Sequence, residues 1–87
     1  MKTYIIIFEI TDLDRESKFY EKLKNYPQWA MITKKAFAIK TELSSVELRN
    51  ELCKNLSEPD RLMVVLSGHV AAWKNSYCKN EWLKENL

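Results

Sequence analysis

The sequence predicts a single α+β domain with the element order β-α-β-β-α-β, followed by a C-terminal extension that contains a short helix. Three observations support this prediction. An apolar run opens the chain at 2–10, two segments at 12–26 and 43–56 carry apolar residues at helical spacing, and a second apolar run, RLMVVL, occupies 61–66. The 87 residues have the length of one small domain.

The strands are predicted from short runs of aliphatic and aromatic residues, at 2–10, 29–33, 36–40 and 61–66. The first run holds three consecutive isoleucines flanked by Tyr4 and Phe8. Apolar residues on both of its faces indicate a central strand that is covered on each side. The second and third runs form a hairpin, with Lys34 and Lys35 at or near the connection.

The helices are predicted from their capping residues as well as from their apolar stripes. Asp12 or Asp14 can cap the first helix, and Pro27 prevents it from continuing. Ser44 and Glu47 match a capping box at the start of the second helix. The stripes comprise Phe19, Leu23 and Tyr26 in the first helix, and Leu48, Leu52 and Leu56 in the second.

This element order is that of the ferredoxin-like fold, in which a four-stranded antiparallel sheet carries two helices on one face. The first and third strands are central in that plan. The domain then covers 1–87, with a core at 1–67 and the extension at 68–87. The second sheet face receives no helix from the core unit. If that face is apolar, a second subunit, the extension or both must cover it.

The composition indicates an ordinary globular protein and gives few signs of chemistry. The chain is 46% hydrophobic and 30% charged, which excludes a disordered chain, and its net charge of +2 does not by itself indicate a nucleic-acid binder. No apolar run is long enough to span a bilayer, and no signal peptide is evident. We therefore expect a cytoplasmic protein with no membrane partner. Cys53, expected in the core, and Cys78 are then free thiols.

Three segments resemble the Cas2-like and SinR-like group of small ferredoxin-like proteins, which includes the small subunit of the CRISPR adaptation complex. They are YIIIFEITD in the first strand and turn, SSVELRNELCKNL in the second helix, and DRLMVVLSG in the last strand. The SinR-like branch is the closer match, through VAAW after the last strand and the ending EWLKENL. The resemblance covers nearly the whole chain.

The resemblance implies a homodimeric interaction module in defence or mobile-element biology. In the adaptation family the dimer clamps duplex DNA within a larger protein complex, and some members are reported as metal-dependent nucleases. The acid of those nucleases ends the first strand, and here only Glu9 matches it. The alternatives are therefore a Mg²⁺- or Mn²⁺-dependent endonuclease, or the toxin of a toxin–antitoxin pair with the same fold.

Glu9 is accordingly the candidate catalytic residue, and Glu9 and Asp12 are the candidate metal ligands. Carboxylates suit Mg²⁺ because this ion prefers hard oxygen ligands. One acid from each chain is a small ligand set, so the site requires Glu9 from both protomers. The competing interpretations are a strand-end charge for Glu9 and a helix cap for Asp12.

The remaining candidates concern partners. Five cations are expected to contact phosphates if the hairpin and the second helix lie together: Lys34, Lys35, Lys40, Arg49 and Lys54. The alternative is that these are ordinary solvated charges. Trp73 and Trp82 are expected to anchor the extension on a sheet or on a neighbouring subunit, although aromatic side chains also stack on bases.

Overall fold

The computed structural model describes residues 1–87. It contains the predicted elements in the predicted order, with bounds that differ by a few residues at most. They are β1 (Lys2–Glu9), α1 (Leu13–Lys24), β2 (Gln28–Thr33), β3 (Ala36–Thr41), α2 (Ser45–Cys53), β4 (Arg61–Leu66) and α3 (Asn80–Asn86). None of the three helices has the length and apolar character needed to cross a membrane.

The four strands form one antiparallel sheet in the order β2-β3-β1-β4. The first and third strands are thus central, as predicted. β1 pairs with β4 so that Ile7 faces Met63 and Glu9 faces Arg61. This arrangement of strands and helices is compatible with the ferredoxin-like plan.

Alternation along β1 divides its side chains between two faces of the sheet. Tyr4, Ile6 and Phe8 are buried on the face that carries α1 and α2. They belong to a single cluster completed by Ile10, Phe19, Leu23, Phe37, Ile39, Leu48 and Leu52. The rings of Phe8 and Phe19 pack edge to face with their centroids 4.9 Å apart. The helical stripes predicted from the sequence therefore supply one wall of this core.

The second face of the sheet is covered over only part of its width, by α3. The hydroxyl of Thr3 donates to the Asn86 carbonyl at 2.6 Å, and Lys40 Nζ donates to Asn86 Oδ1 at 3.0 Å. Leu83 is 1% exposed, and Ala38 is fully buried. The extension therefore covers the part of this face toward β3.

The helix caps separate the alternatives that the sequence left open at α1. Asp12, not Asp14, is the N-cap, and its carboxylate accepts from the backbone N–H of Arg15 at 3.0 Å. That hydrogen bond lowers the pKa of Asp12. The predicted capping box is confirmed at α2, where Ser44 and Glu47 each satisfy a backbone N–H of the other.

The expectation that Cys53 lies in the core is wrong, because its side chain is exposed. The buried side of α2 is formed by Leu48 and Leu52. Successive residues on an α-helix are rotated by about 100°. Cys53 therefore turns away from the side chain of Leu52 and toward solvent, at the last residue of the helix.

Candidate functional site

The uncovered part of the second sheet face is an apolar strip formed by β1 and β4. We call it the β1–β4 surface and define it by Ile5, Ile7, Met63 and Val65, which pair directly across the two strands. Exposure reaches 46% for Ile7, 58% for Met63 and 42% for Val65. Neighbouring exposed apolar side chains of this kind are typical of an interaction surface.

Glu9 lies at one end of the β1–β4 surface and forms an ion pair with Arg61. Both side chains are well exposed, so this pair contributes little to stability. A shallow cavity of about 480 Å³ adjoins the pair and is also lined by Ile7, Lys35 and Met63. The strand-end charge interpretation of Glu9 is therefore supported by a specific partner, the Arg61 guanidinium.

Asp12 is committed to capping α1, with Arg15 Nη1 as a second neighbour at 3.9 Å. No group of three or more histidine, cysteine, aspartate or glutamate side chains gathers within this chain in a way that could hold a metal ion. A metal site built from Glu9 of two protomers remains a prediction, because it requires a second chain.

A network around Asp60 connects the start of β4 to the turn between β1 and α1. Its carboxylate accepts from Arg15 Nε at 2.9 Å and from the backbone N–H groups of Thr11 and Ser57 at 3.0 and 2.8 Å. The Arg15 guanidinium holds the pKa of Asp60 well below its usual range. Because Asp60 precedes Arg61, this network also positions the start of β4 beside Glu9.

The five predicted phosphate-contacting cations are spread over separate parts of the molecule. Lys34 and Lys35 form the β2–β3 turn, where Lys35 Nζ lies 3.1 Å from a carboxylate oxygen of Glu16 in α1. Lys40 lies on the second face of the sheet, where it contacts Asn86 of α3. The remaining two, Arg49 and Lys54, lie at α2. The hairpin turn contacts α1 rather than α2, so a single chain does not gather all five on one surface.

The two tryptophans of the extension have different environments. Trp73 Nε1 donates to Asn80 Oδ1 at 3.0 Å, which fastens the irregular segment to the start of α3. Trp82 is half-buried and lines a cavity together with Ala30 of β2. Trp73 therefore contacts its own extension, whereas Trp82 lies against the edge of the sheet.

No sequence motif marks Met63, Val65 or Arg61 as site residues. The run RLMVVL alternates in its environment, because Leu62 and Val64 pack partly against the core, whereas Met63 and Val65 face outward. Uniform hydrophobicity conceals this division. The pairing of Glu9 with Arg61 depends on the antiparallel register of β1 and β4, which no local motif marks.

Comparisons of this chain with protein-family models, with curated proteins and with solved structures found no match.

Proposed function

We propose that this chain is a homodimeric interaction module whose two protomers stack through the β1–β4 surface. The observation that supports this proposal is the incomplete cover of the second sheet face. α3 shields the part toward β3, while Ile7, Met63 and Val65 stay exposed. Two sheets packed face to face bury side chains of this kind between them.

A second copy of the chain fits this surface because the strip complements itself. In a two-fold symmetric dimer the same patch meets itself, so residue pairs occur twice. Glu9 and Arg61 carry opposite charges side by side at one end of the strip. Glu9 of one protomer can therefore form an ion pair with Arg61 of the partner subunit, and Arg61 with Glu9 of the partner subunit. The net charge of +2 offers little repulsion between two copies.

The ferredoxin-like assignment and the Cas2-like/SinR-like resemblance give the proposed module its biological setting. We place it in defence or mobile-element biology, with nucleic acid and larger protein assemblies as its partners. A two-fold dimer would double every cationic group, including the Lys34–Lys35 turn. The genomic neighbourhood distinguishes the settings, because an integrase with a repeat array, an antitoxin, or neither would lie beside the coding sequence.

Replacing Met63 with glutamate is expected to dissociate the dimer. The added carboxylates would be buried without partners, so the dissociation constant should rise by roughly 100-fold or more. Sedimentation velocity at tens of micromolar should show the wild-type protein at twice its 10.3 kDa mass, and the Met63→Glu protein at the monomer mass.

Val46→Glu provides the matched control, because Val46 is 53% exposed on α2, away from the β1–β4 surface. This variant should remain dimeric. A wild-type protein that is monomeric at these concentrations would refute the proposed module, and so would dissociation of both variants to the same extent.

A second candidate function is a metal-dependent nuclease, favoured by the position of Glu9 on the same sheet face as the β1–β4 surface. Stacked protomers would bring this acid close to the interface, where one metal ion could bridge two carboxylates and activate water. Labelled RNA and DNA incubated with Mg²⁺ or Mn²⁺ test this function. Cleavage should be lost in Glu9→Ala and retained in Glu58→Ala, an exposed acid elsewhere; cleavage that survives Glu9→Ala would eliminate this site.

A further inference from the structure

A second shallow cavity, of about 360 Å³, lies along β2, at the opposite edge of the sheet from β4. It is formed by the last turn of α1, by β2 and by the segment that leads into α3. Its volume is within the range of small-molecule sites. The apolar side chains that line it are those of Trp29, Ala30, Met31, Tyr77, Cys78 and Trp82.

The charged groups at this cavity are all cationic. Lys24 and Lys79 belong to its lining, which includes no carboxylate. Lys24 Nζ lies 5.7 Å from the ring centroid of Trp29, in a cation–π arrangement. Both lysines are exposed, and neither takes part in an ion pair within the chain. The cavity therefore combines aromatic walls with two ammonium groups that lack a counter-charge.

We propose that this cavity binds a nucleotide, with the base against the aromatic side chains and the phosphate at Lys24 and Lys79. Indole and phenol rings stack on any base, because every base presents a flat π-face. Ammonium groups bind phosphate as point charges, and neither lysine has to break an ion pair to do so here. A free nucleotide and an unpaired nucleotide of a single strand present this same chemistry.

This inference is independent of the proposed dimer. The β1–β4 surface and the cavity lie toward opposite edges of the sheet and share no residue. Loss of the dimer in Met63→Glu should therefore leave nucleotide binding unchanged, and the two proposals can fail separately.

The three tryptophan indole N–H signals of the ¹⁵N-labelled full chain provide the test. Titration with AMP should shift the Trp29 and Trp82 signals, with a dissociation constant below about 1 mM. Trp73 lies outside the cavity and should not respond. Adenosine should bind at least about threefold more weakly than AMP, because it lacks the phosphate.

Lysine variants locate the phosphate. Lys24→Ala and Lys79→Ala should each weaken AMP binding roughly three- to tenfold, and added salt should weaken the wild-type interaction. Lys18→Ala and Lys84→Ala are the matched controls, because these lysines lie on α1 and α3, are exposed and form no ion pair. The controls should bind AMP as the wild-type protein does.

Oligothymidylate single strands, compared with AMP and with a blunt duplex, distinguish the two sources of the nucleotide. Tighter binding of the single strand identifies an unpaired strand as the ligand, and tighter binding of AMP identifies the free nucleotide. The proposal is overturned if neither shifts the two cavity indoles, or if all four lysine variants bind equally. It is also overturned if benzoate, an aromatic carboxylate, binds as tightly as AMP.

Discussion

Replacing Asp60 with asparagine is expected to lower the thermal midpoint by on the order of 5 °C or more. The change removes the negative charge that holds together α1, the turn after β1 and the segment before β4. In the wild-type protein this carboxylate accepts from Arg15 Nε and from the backbone N–H groups of Thr11 and Ser57. An amide oxygen cannot satisfy all of these donors, and Arg15 loses its counter-charge.

The stability contributed by Asp60 should also depend on pH in a defined direction. The folded state depresses the pKa of this carboxyl, chiefly through its hydrogen bond with Arg15. A carboxyl whose pKa is lowered by folding stabilises the folded protein at pH values above its unfolded-state pKa of about 4. This contribution is lost as pH falls through the folded-state pKa. The difference in thermal midpoint between the wild-type protein and Asp60→Asn should therefore become smaller as pH falls below about 5.

Thermal unfolding at a series of pH values measures both effects. Glu58→Gln is the matched control, since it makes the same carboxyl-to-amide change at an exposed position in the same loop between α2 and β4. The carboxyls of Glu47 and Glu51, whose pKa values are also lowered, have neither Asp60 nor Arg15 as a partner, so their contributions cancel in the comparison. If the difference in thermal midpoint between the wild-type protein and Asp60→Asn stays constant down to pH 3, the ionic role assigned to Asp60 is contradicted.

Leu83→Ala is expected to reduce the free energy of unfolding by about 2–3 kcal/mol. Leu83 is 1% exposed and is the buried residue of α3. Removing a buried leucine side chain costs its transfer free energy plus that of the cavity it leaves. The estimate is at the low end of the usual range because α3 is a short helix near the end of the chain and can relax.

Urea denaturation of Leu83→Ala and of its neighbour Lys84→Ala separates packing from helix propensity. Lys84 is exposed, and alanine is a good helix former, so Lys84→Ala should unfold at nearly the wild-type urea concentration. Hydrogen exchange should also show loss of protection in α3 when Leu83 is truncated. Equal stability of the two variants would mean that α3 does not cover the sheet.

The elements of this fold follow closely from the sequence because each has a local chemical signal. Three isoleucines between Tyr4 and Phe8 predict the central strand, and the Ser44–Glu47 capping box predicts the start of α2. These signals act over a few residues, so no distant contact is needed to detect them. Cys53 shows the limit, since adjacency to an apolar stripe did not determine which side of the helix it faces.

The candidate sites were less accessible to sequence reasoning. Glu9 was found through a family resemblance and Trp82 through its position in the extension. The pairing of Glu9 with Arg61 joins residues 52 positions apart. The cavity along β2 brings together Lys24 and Lys79, which are 55 positions apart in the sequence. Neither set has a spacing that a linear pattern could reveal.

By itself the sequence determined which segments become strands and helices, because periodicity and capping depend on neighbouring residues. It also indicated that one sheet face would need cover. Only the tertiary structure decided how that cover is divided: α3 takes the part toward β3 and leaves Ile7, Met63 and Val65 exposed. The physical reason is that the burial of a side chain depends on contacts between elements far apart in the sequence. Strand register and the position of α3 on the sheet determine those contacts.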